Sequence, residues 1–518
     1  MCSVRSPGRR RAEFRKDGLK GAFMEIVAEE YTDCFQAFIR AMRNDYICCA
    51  ETRDSVKSQP YLTAFSKKVL NGEGYEIQFV EQMSLYLMRF KNPAVEFGID
   101  YERMEHYKPY NWGATFRRYG DTLYVATATP ESKLQVGDKV VAASVYGDAG
   151  FAKVSTMEKR YETNLYGDTA EREMWDPVLH FMNRYLVEDP DSEKGTRRVT
   201  TEFLDIVPDP AFEIAELADD AVLLTLRDLS DAAALAEFLD SNRPALEQAK
   251  TLIIDVRTCQ GGAEEAALPL LAYVISAPTA LSDFMEDRCL TNYSKNNCNR
   301  QAAVFNYLAQ QQMAPFEAEP EAAEADEAAG TDEAAGTATA ANSEGADDAP
   351  TLGAEAEAPA VSESDPAALA EAQARKAMFE QWRDDILSRS GQGIVEEECP
   401  ISEELKAPVD PAGQAQHVYL LTDVTTRDAA DLLAEVCKGS DRATIVGRPT
   451  MGSRGYFNPA VVVSSRFSLA YPTSRYTDEG LARHYAQVGV PVDIHVEWTP
   501  EFLERDLDLE AAKEAAGL

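Results

Sequence analysis

The segment Thr251-Leu252-Ile253-Ile254-Asp255-Val256-Arg257 constrains the fold more than any other part of the chain. It is apolar on both faces and of strand length, so it predicts a strand buried on both sides, the usual situation in a parallel sheet. Its surroundings agree. Ala221-Val222-Leu223-Leu224-Thr225-Leu226 is a second strand-length run, and 231–250 carries an amphipathic helical pattern between the two. Gly261-Gly262 then opens a helix over 263–277. The same grammar returns later. His417 to Leu421 reads as a strand, Arg427-Asp428 leads into a helix from Ala429 to Lys438 that stops at Gly439, and Ala443 to Gly447 is a strand again. Val461 to Val463 and Phe467 to Ala470 read as a β pair, Val490 to Ile494 as a last β segment, and Leu507 to Ala516 as a closing helix. Strand–helix–strand repetition predicts an α/β layered core from about residue 200 to the end, with its sites at strand ends.

The upstream third has a different period. Ile26, Phe35, Phe38, Ile39 and Met42, then Phe79, Met83, Leu85, Tyr86 and Phe90, recur at helical spacing and predict a helical region over 24–100. Over 101–199 the pattern turns to alternation, as in Thr122 to Ala126, followed by the turn Leu134-Gln135-Val136-Gly137-Asp138 and the β-rich run to Ala142; a helix is expected over 172–186 and a polar connection over 188–196. Residues 280–410 interrupt the α/β pattern. Within them 317–367 is nearly all Ala, Glu, Asp, Gly, Pro, Ser and Thr, too poor in apolar side chains to offset chain entropy, so disorder is expected there between two flanking helices. Met1 to Lys20 is basic without the apolar run of a signal peptide, which predicts a disordered tail over 1–23 or a start at Met24.

The formal net charge of -37 disfavours nucleic acid and anionic membrane surfaces as partners. No stretch is long and apolar enough to cross a bilayer. A cytoplasmic location follows by default, export remaining open if the N-terminus is wrongly assigned. The nine cysteines show no CxxC pair and no His-Cys cluster, so no metal and no cofactor is expected. Cys289, Cys298 and Cys399 flank the insertion and are candidates to lie together in a redox role.

Several segments, in order, resemble the tail-specific (carboxy-terminal-processing and tricorn-core-like) serine protease family. Leu252 to Gly262 is similar to its "L-I-I-D-L-R-x-N-x-G-G", Val418 to Asp431 to its strand and nucleophile turn "V-x-V-L-T-N-x-x-T-x-S-A-A-E", and Arg442 to Thr450 to "R-A-x-V-V-G-E-P-T". Gly489 to Asp493 and Asp506 to Ala512 are similar to its ending. The turn Leu134 to Asp138 resembles the "L-x-x-G-D" turn of a PDZ-type module, which the family carries upstream of its core. The resemblance implies a crotonase-like layered αβ peptidase core preceded by a PDZ-type β module, with polypeptide or peptide C termini as partners, a homo-oligomer being compatible. It implies peptide capture at Leu134, Val136, Gly137 and Asp138, and an oxyanion turn at Gly261 and Gly262.

The catalytic positions depart from the family. Asp428 stands where the nucleophilic serine is expected, and Ser453 where the processing proteases keep their lysine base. In the tricorn-like branch, the histidine position falls on Ala94 and the glutamate position on Ala486. Attack by a carboxylate on an amide would give a high-energy anhydride, so Asp428 is expected to cap the helix at Ala429, with its carboxylate near the amides of Gly261 and Gly262. Thr425, Thr426 and Ser453 are the hydroxyl candidates nearby. His106 and His484 could approach, and a rearranged Ser453–His484 pair requires direct contact between the two side chains. Three readings result: a non-hydrolytic peptide-binding protein, an active serine peptidase with a relocated nucleophile such as Ser453, and a scaffold that uses the acidic insertion to bind a basic partner.

Overall fold

The computed structural model describes residues 30–69, 75–100, 113–145, 150–161, 169–179, 182–202, 204, 208–218, 220–259, 261–317, 366–413 and 415–518. The expectations for 1–23, for nearly all of 317–367, and for His106 lie outside the described residues.

The class is mixed α/β, with several sheets. Its centre is a six-stranded sheet in the order Ile494–His495, Ala443–Gly447, His417–Thr422, Thr251–Asp255, Ala221–Leu226, Phe212–Ala218. Neighbours run parallel except at the Phe212–Ala218 edge, which is antiparallel. Ile253 pairs in register with Tyr419 and Leu223, so the apolar run sits mid-sheet, covered on both faces. One face packs on the helices Ala232–Ser241, Leu268–Val274 and Ala429–Lys438, through Leu252, Ile254, Leu420, Leu270 and Leu433. The other face packs Ile253, Leu421 and Val446 on Ala512 of the helix Leu507–Ala516.

Some expected helices are shorter than their patterns. The 231–250 pattern splits at Asn242, where Pro244 enters the first turn of a second helix, Arg243–Gln248. The helix after Gly261-Gly262 begins as a 3₁₀ turn, Glu264–Ala267, and becomes α-helical only at Leu268, with Pro269 in its first turn. Over 172–186 no long helix forms. A short Asp176–Leu179 helix is followed by the strand Met182–Glu188, which pairs with Thr196–Thr200, so the polar connection is a hairpin turn. Met182, Tyr185 and Val187 are the reason: all three are buried against Phe116, Leu123 and Val125. These strands belong to an antiparallel sheet in the order Ala114–Tyr119, Thr122–Ala128, Lys139–Val145, Met182–Glu188, Thr196–Thr200.

The N-terminal helical region shares its core with the β pair. Phe35, Phe38, Phe79 and Tyr86 are buried in one cluster with Phe467, Leu469 and Tyr471, and the Phe79 and Phe467 rings lie 4.4 Å apart. The region ends in a strand, Glu96–Ile99, that pairs with Phe467 to Ala470. Asn292–Val395 forms a separate compact unit, built on the helices Lys295–Glu317 and Pro366–Ser388 and on Phe305 against Trp382. Among the described residues no helix is long and apolar enough to cross a membrane.

A buried ion network closes the C-terminal ends of the central strands. The Arg448 guanidinium donates to Asp423 (2.9 Å), to both oxygens of Asp508 (2.9 and 2.7 Å) and to the Val496 carbonyl (2.9 Å). Arg257 joins from the next strand, donating to Asp255, Asp506 and Asp508. Arg117, from the antiparallel sheet, also pairs with Asp423. Burial works against the Asp423 carboxylate, but Arg117 and Arg448 beside it win and hold its pKa at about 2. At Asp508 burial wins and the pKa is pushed up. Removing one partner of such a set strands the others without solvent. Arg448→Met is therefore expected to cost ~3–5 kcal/mol in urea unfolding; a loss within experimental scatter would show that the network contributes nothing net.

Candidate active site

The site forms where two strand ends meet. Val256 to Gly262 leaves one strand and Asp423 to Asp428 leaves its neighbour. The second loop is fastened to the first by hydroxyls: Thr426 Oγ1 donates to the Val256 carbonyl (2.9 Å) and Thr425 Oγ1 to that of Arg257. Thr426 also accepts from the Asp423 amide at 3.0 Å. Both threonine hydroxyls are thus committed to backbone.

Asp428 stands at the start of the helix Ala429–Lys438 with φ 57° and ψ -119°, a left-handed setting that costs a non-glycine residue of order 1–3 kcal/mol. Three bonds hold it there. The Asp428 amide donates to Ser453 Oγ at 2.7 Å, Ser453 Oγ donates to Asp431 Oδ2 at 2.6 Å, and the Ser453 amide donates to the same oxygen at 2.7 Å. Asp431 is buried, and its other oxygen accepts from the Gly452 amide at 3.3 Å. The strap 450–453 is held in turn by Arg172, which donates to the Thr450 and Met451 carbonyls (2.9 and 3.1 Å), and by the Met451 amide bonded to the Thr426 carbonyl.

Two expectations for Asp428 are corrected. Its side chain makes no capping hydrogen bond, because the positive φ turns it away from the helix amides. Nor does the amide of Gly261 or Gly262 donate to it. Instead its Oδ2 lies 3.4 Å from where a Cβ on Gly261 would stand, and 3.6 Å from Arg427 Nε. Gly261 and Gly262 have φ 135° and 123°, and a Cβ on Gly262 would meet the Leu229 carbonyl oxygen at 2.4 Å, so close backbone approach requires glycine there. Two-fifths of the Asp428 side chain is open to solvent. Burial of the remainder pushes its pKa up, against the pull of Arg427 and Ser453.

Ser453 and His484 do not pair. Ser453 is 4% exposed and its hydroxyl is spent on Asp428 and Asp431. His484 is buried between two glutamates, with Nδ1 2.7 Å from Glu435 and Nε2 3.1 Å from Glu286, and Arg454 bridges Glu435 to Glu264. The Ala94 and Ala486 segments do reach the site's edge. Glu96, two residues past Ala94, lies 3.5 Å from Arg427, and the Gln487 amide donates to the Gly452 carbonyl at 2.7 Å. Arg427 and Glu96 are the site residues that sequence reasoning missed; the substitution next to an arginine was the available signal. Among the described residues no lysine or histidine contacts Asp428.

The PDZ-type turn is committed to structure rather than open for capture. Leu134 is buried in the module's core, the Gly137 amide bonds to the Val125 carbonyl, and Asp138 is paired with Arg197. Gln135 and Val136 are exposed.

A family model described as peptidase family S41 matches residues 220–496, which hold five of the six central strands together with Gly261, Asp428 and Ser453. The chain belongs to peptidase family S41. Among solved structures, CPAF carrying a serine-to-alanine mutation is similar at 14% identity and TM-score 0.55, covering 95% of this chain and 98% of that one. Mature CPAF is similar at 14% identity and TM-score 0.52, covering 95% and 97%. The photosystem II D1 C-terminal processing protease aligns over 94% and 97% at 14% identity, with a TM-score of 0.38. No curated protein sequence matches. In this S41 chain, then, the turn that faces Gly261 presents a carboxylate.

The geometry makes two expectations. Ser453→Ala removes the acceptor of the Asp428 amide and the donor to buried Asp431, so it should cost ~1–3 kcal/mol in chemical unfolding, with Ser453→Thr losing less. Because the folded-state pKa of Asp428 is raised, ionising it opposes folding. Its contribution is most favourable below the ordinary aspartate pKa and declines as pH rises from about 4 through the raised value. Asp428→Asn should therefore gain stability relative to wild type as pH rises through that window, and a gap that is constant with pH would refute the shift.

Proposed function

We propose that this S41 chain holds extended polypeptide without cutting it. One observation carries the reading: the strained position at the helix start, beside the Gly-Gly turn, holds Asp428, and among the described residues the hydroxyl that touches it belongs to a buried serine already bonded to Asp431. Acyl transfer needs a nucleophile activated by an adjacent base. A carboxylate beside an arginine does not supply that pair, and Ala94 and Ala486 offer no base. The relocated-nucleophile reading asks Ser453 to leave two hydrogen bonds and a buried setting, and to find a base other than His484.

The peptide-binding half of the reading rests on the family's substrate class and on open sheet edges. An extended peptide gains main-chain hydrogen bonds by joining an edge strand, and Thr196–Thr200 is such an edge of the antiparallel sheet. Since the Leu134 to Asp138 turn is internally bonded, capture at an edge strand replaces capture at that turn.

The test is turnover of an unfolded, fluorescently labelled polypeptide, with anisotropy measured on the same samples. Wild type, Asp428→Ser and Asp428→Ala should all leave the substrate uncut within background, while wild type retards its tumbling. New peptide ends that disappear in Ser453→Ala would overturn the reading. So would a wild type that neither cuts nor binds.

A further inference from the structure

The expectation that three cysteines gather at the insertion holds for two of them. Cys289 lies in the strand Arg288–Tyr293, and Cys399 directly follows the strand Gly393–Glu398, which is its neighbour in the sheet. The Cys399 amide donates to the Asp287 carbonyl at 2.9 Å, and Cys289 Sγ lies 3.9 Å from the Glu398 carbonyl. This places Cys399 beside Cys289 across adjacent strands, with the Cys289 sulfur at the peptide that joins Glu398 to Cys399. The neighbouring thiol lowers the pKa of Cys289 and raises that of Cys399. Cys289 is 1% exposed, whereas Cys399 is only half-buried. Burial pushes the Cys298 thiol up, against the pull of Ser390.

We propose that Cys289 and Cys399 are a reversible dithiol–disulfide pair, oxidised by low-molecular-weight disulfides, that ties together the two strands between which residues 292–395 are inserted. The paired thiols are unlike the chain's other buried cysteines. Cys34, Cys259 and Cys437 are fully buried, and burial pushes each of their thiols up, whereas Cys399 is half-buried and open to a small external disulfide. Cys399, the sulfur with solvent access, exchanges first. The Cys399 thiol gives up its proton as its sulfur attacks the external disulfide RSSR, forming Cys399–S–SR, and the departing RS⁻ takes up that proton and leaves as RSH. Cys289 then loses its proton as its sulfur attacks the Cys399 sulfur, the S–SR bond breaks, and the second RS⁻ takes up the proton and leaves as RSH. Two cysteine thiols are oxidised and one external disulfide is reduced to two thiols. The product closes a loop from 289 to 399. It also stiffens the strand whose Cys289 lies opposite Tyr476, the ring that packs on His484 behind the site helix.

The experiment equilibrates the full chain in a series of reduced-to-oxidised glutathione ratios, quenches by acid, and maps disulfides by peptide mass spectrometry. Thermal unfolding is followed on the same samples. A Cys289–Cys399 linked peptide should form and be reversed by excess reduced glutathione. The melting temperature should rise by several degrees on oxidation in wild type and in Cys298→Ser, but not in Cys399→Ser. Should Cys399→Ser fail to fold, Cys289→Ala gives the same reading, with glutathione retained on Cys399. Glutathione persisting on Cys399 in wild type, a link to any other cysteine, or no link at the most oxidising ratio would each overturn the proposal.

Discussion

Arg448 holds the architecture together. Its guanidinium satisfies Asp423 at the end of one central strand, Asp508 in the closing helix, and the carbonyl of Val496 beyond the edge strand. Through Asp423 it is coupled to Arg117 of the antiparallel sheet, and through Asp508 to Arg257. Taking these charges out of water is costly unless every partner is present, so the set acts as one unit. It fixes the angle at which the Asp423 to Asp428 loop leaves its strand, and the site is built on that loop.

What the loop presents is a carboxylate at the strained start of a helix. Three hydrogen bonds through Ser453 and Asp431 hold Asp428 in a conformation that is otherwise unfavourable. Strain of this kind survives only where the surroundings over-determine it. Here it places a carboxylate beside Gly261 and Arg427.

The polar chain continues along the same helix. Asp428, Asp431 and Glu435 are spaced so that all three lie on one face, and each meets a different partner: Arg427, Ser453 and the Arg454–His484 pair. His484 and Ser453, which looked like a potential pair, are separated into two neighbouring networks. Ser453 and His484 each bond within their own network and not to each other.

The order of motifs, the strand-length apolar runs and the glycine turn settled the α/β class and the family in advance, because burial on both faces and a helix after each strand leave few other solutions. The absence of serine at 428 and of histidine at 94 could also be read directly. Other features depended on contacts between distant segments. The strand at Met182–Glu188 formed because Tyr185 and Val187 found a buried face beside Phe116, against a local helical pattern. Asp428 lost its capping role because its positive φ, held by the bond from its amide to Ser453 twenty-five residues on, turns its side chain from the helix amides. Glu96 reached Arg427, and Cys289 reached Cys399, across separations that no local spacing encodes. Local periodicity specifies which face of an element is apolar; only the folded chain decides which polar groups meet, and in this protein those meetings set the chemistry of the site.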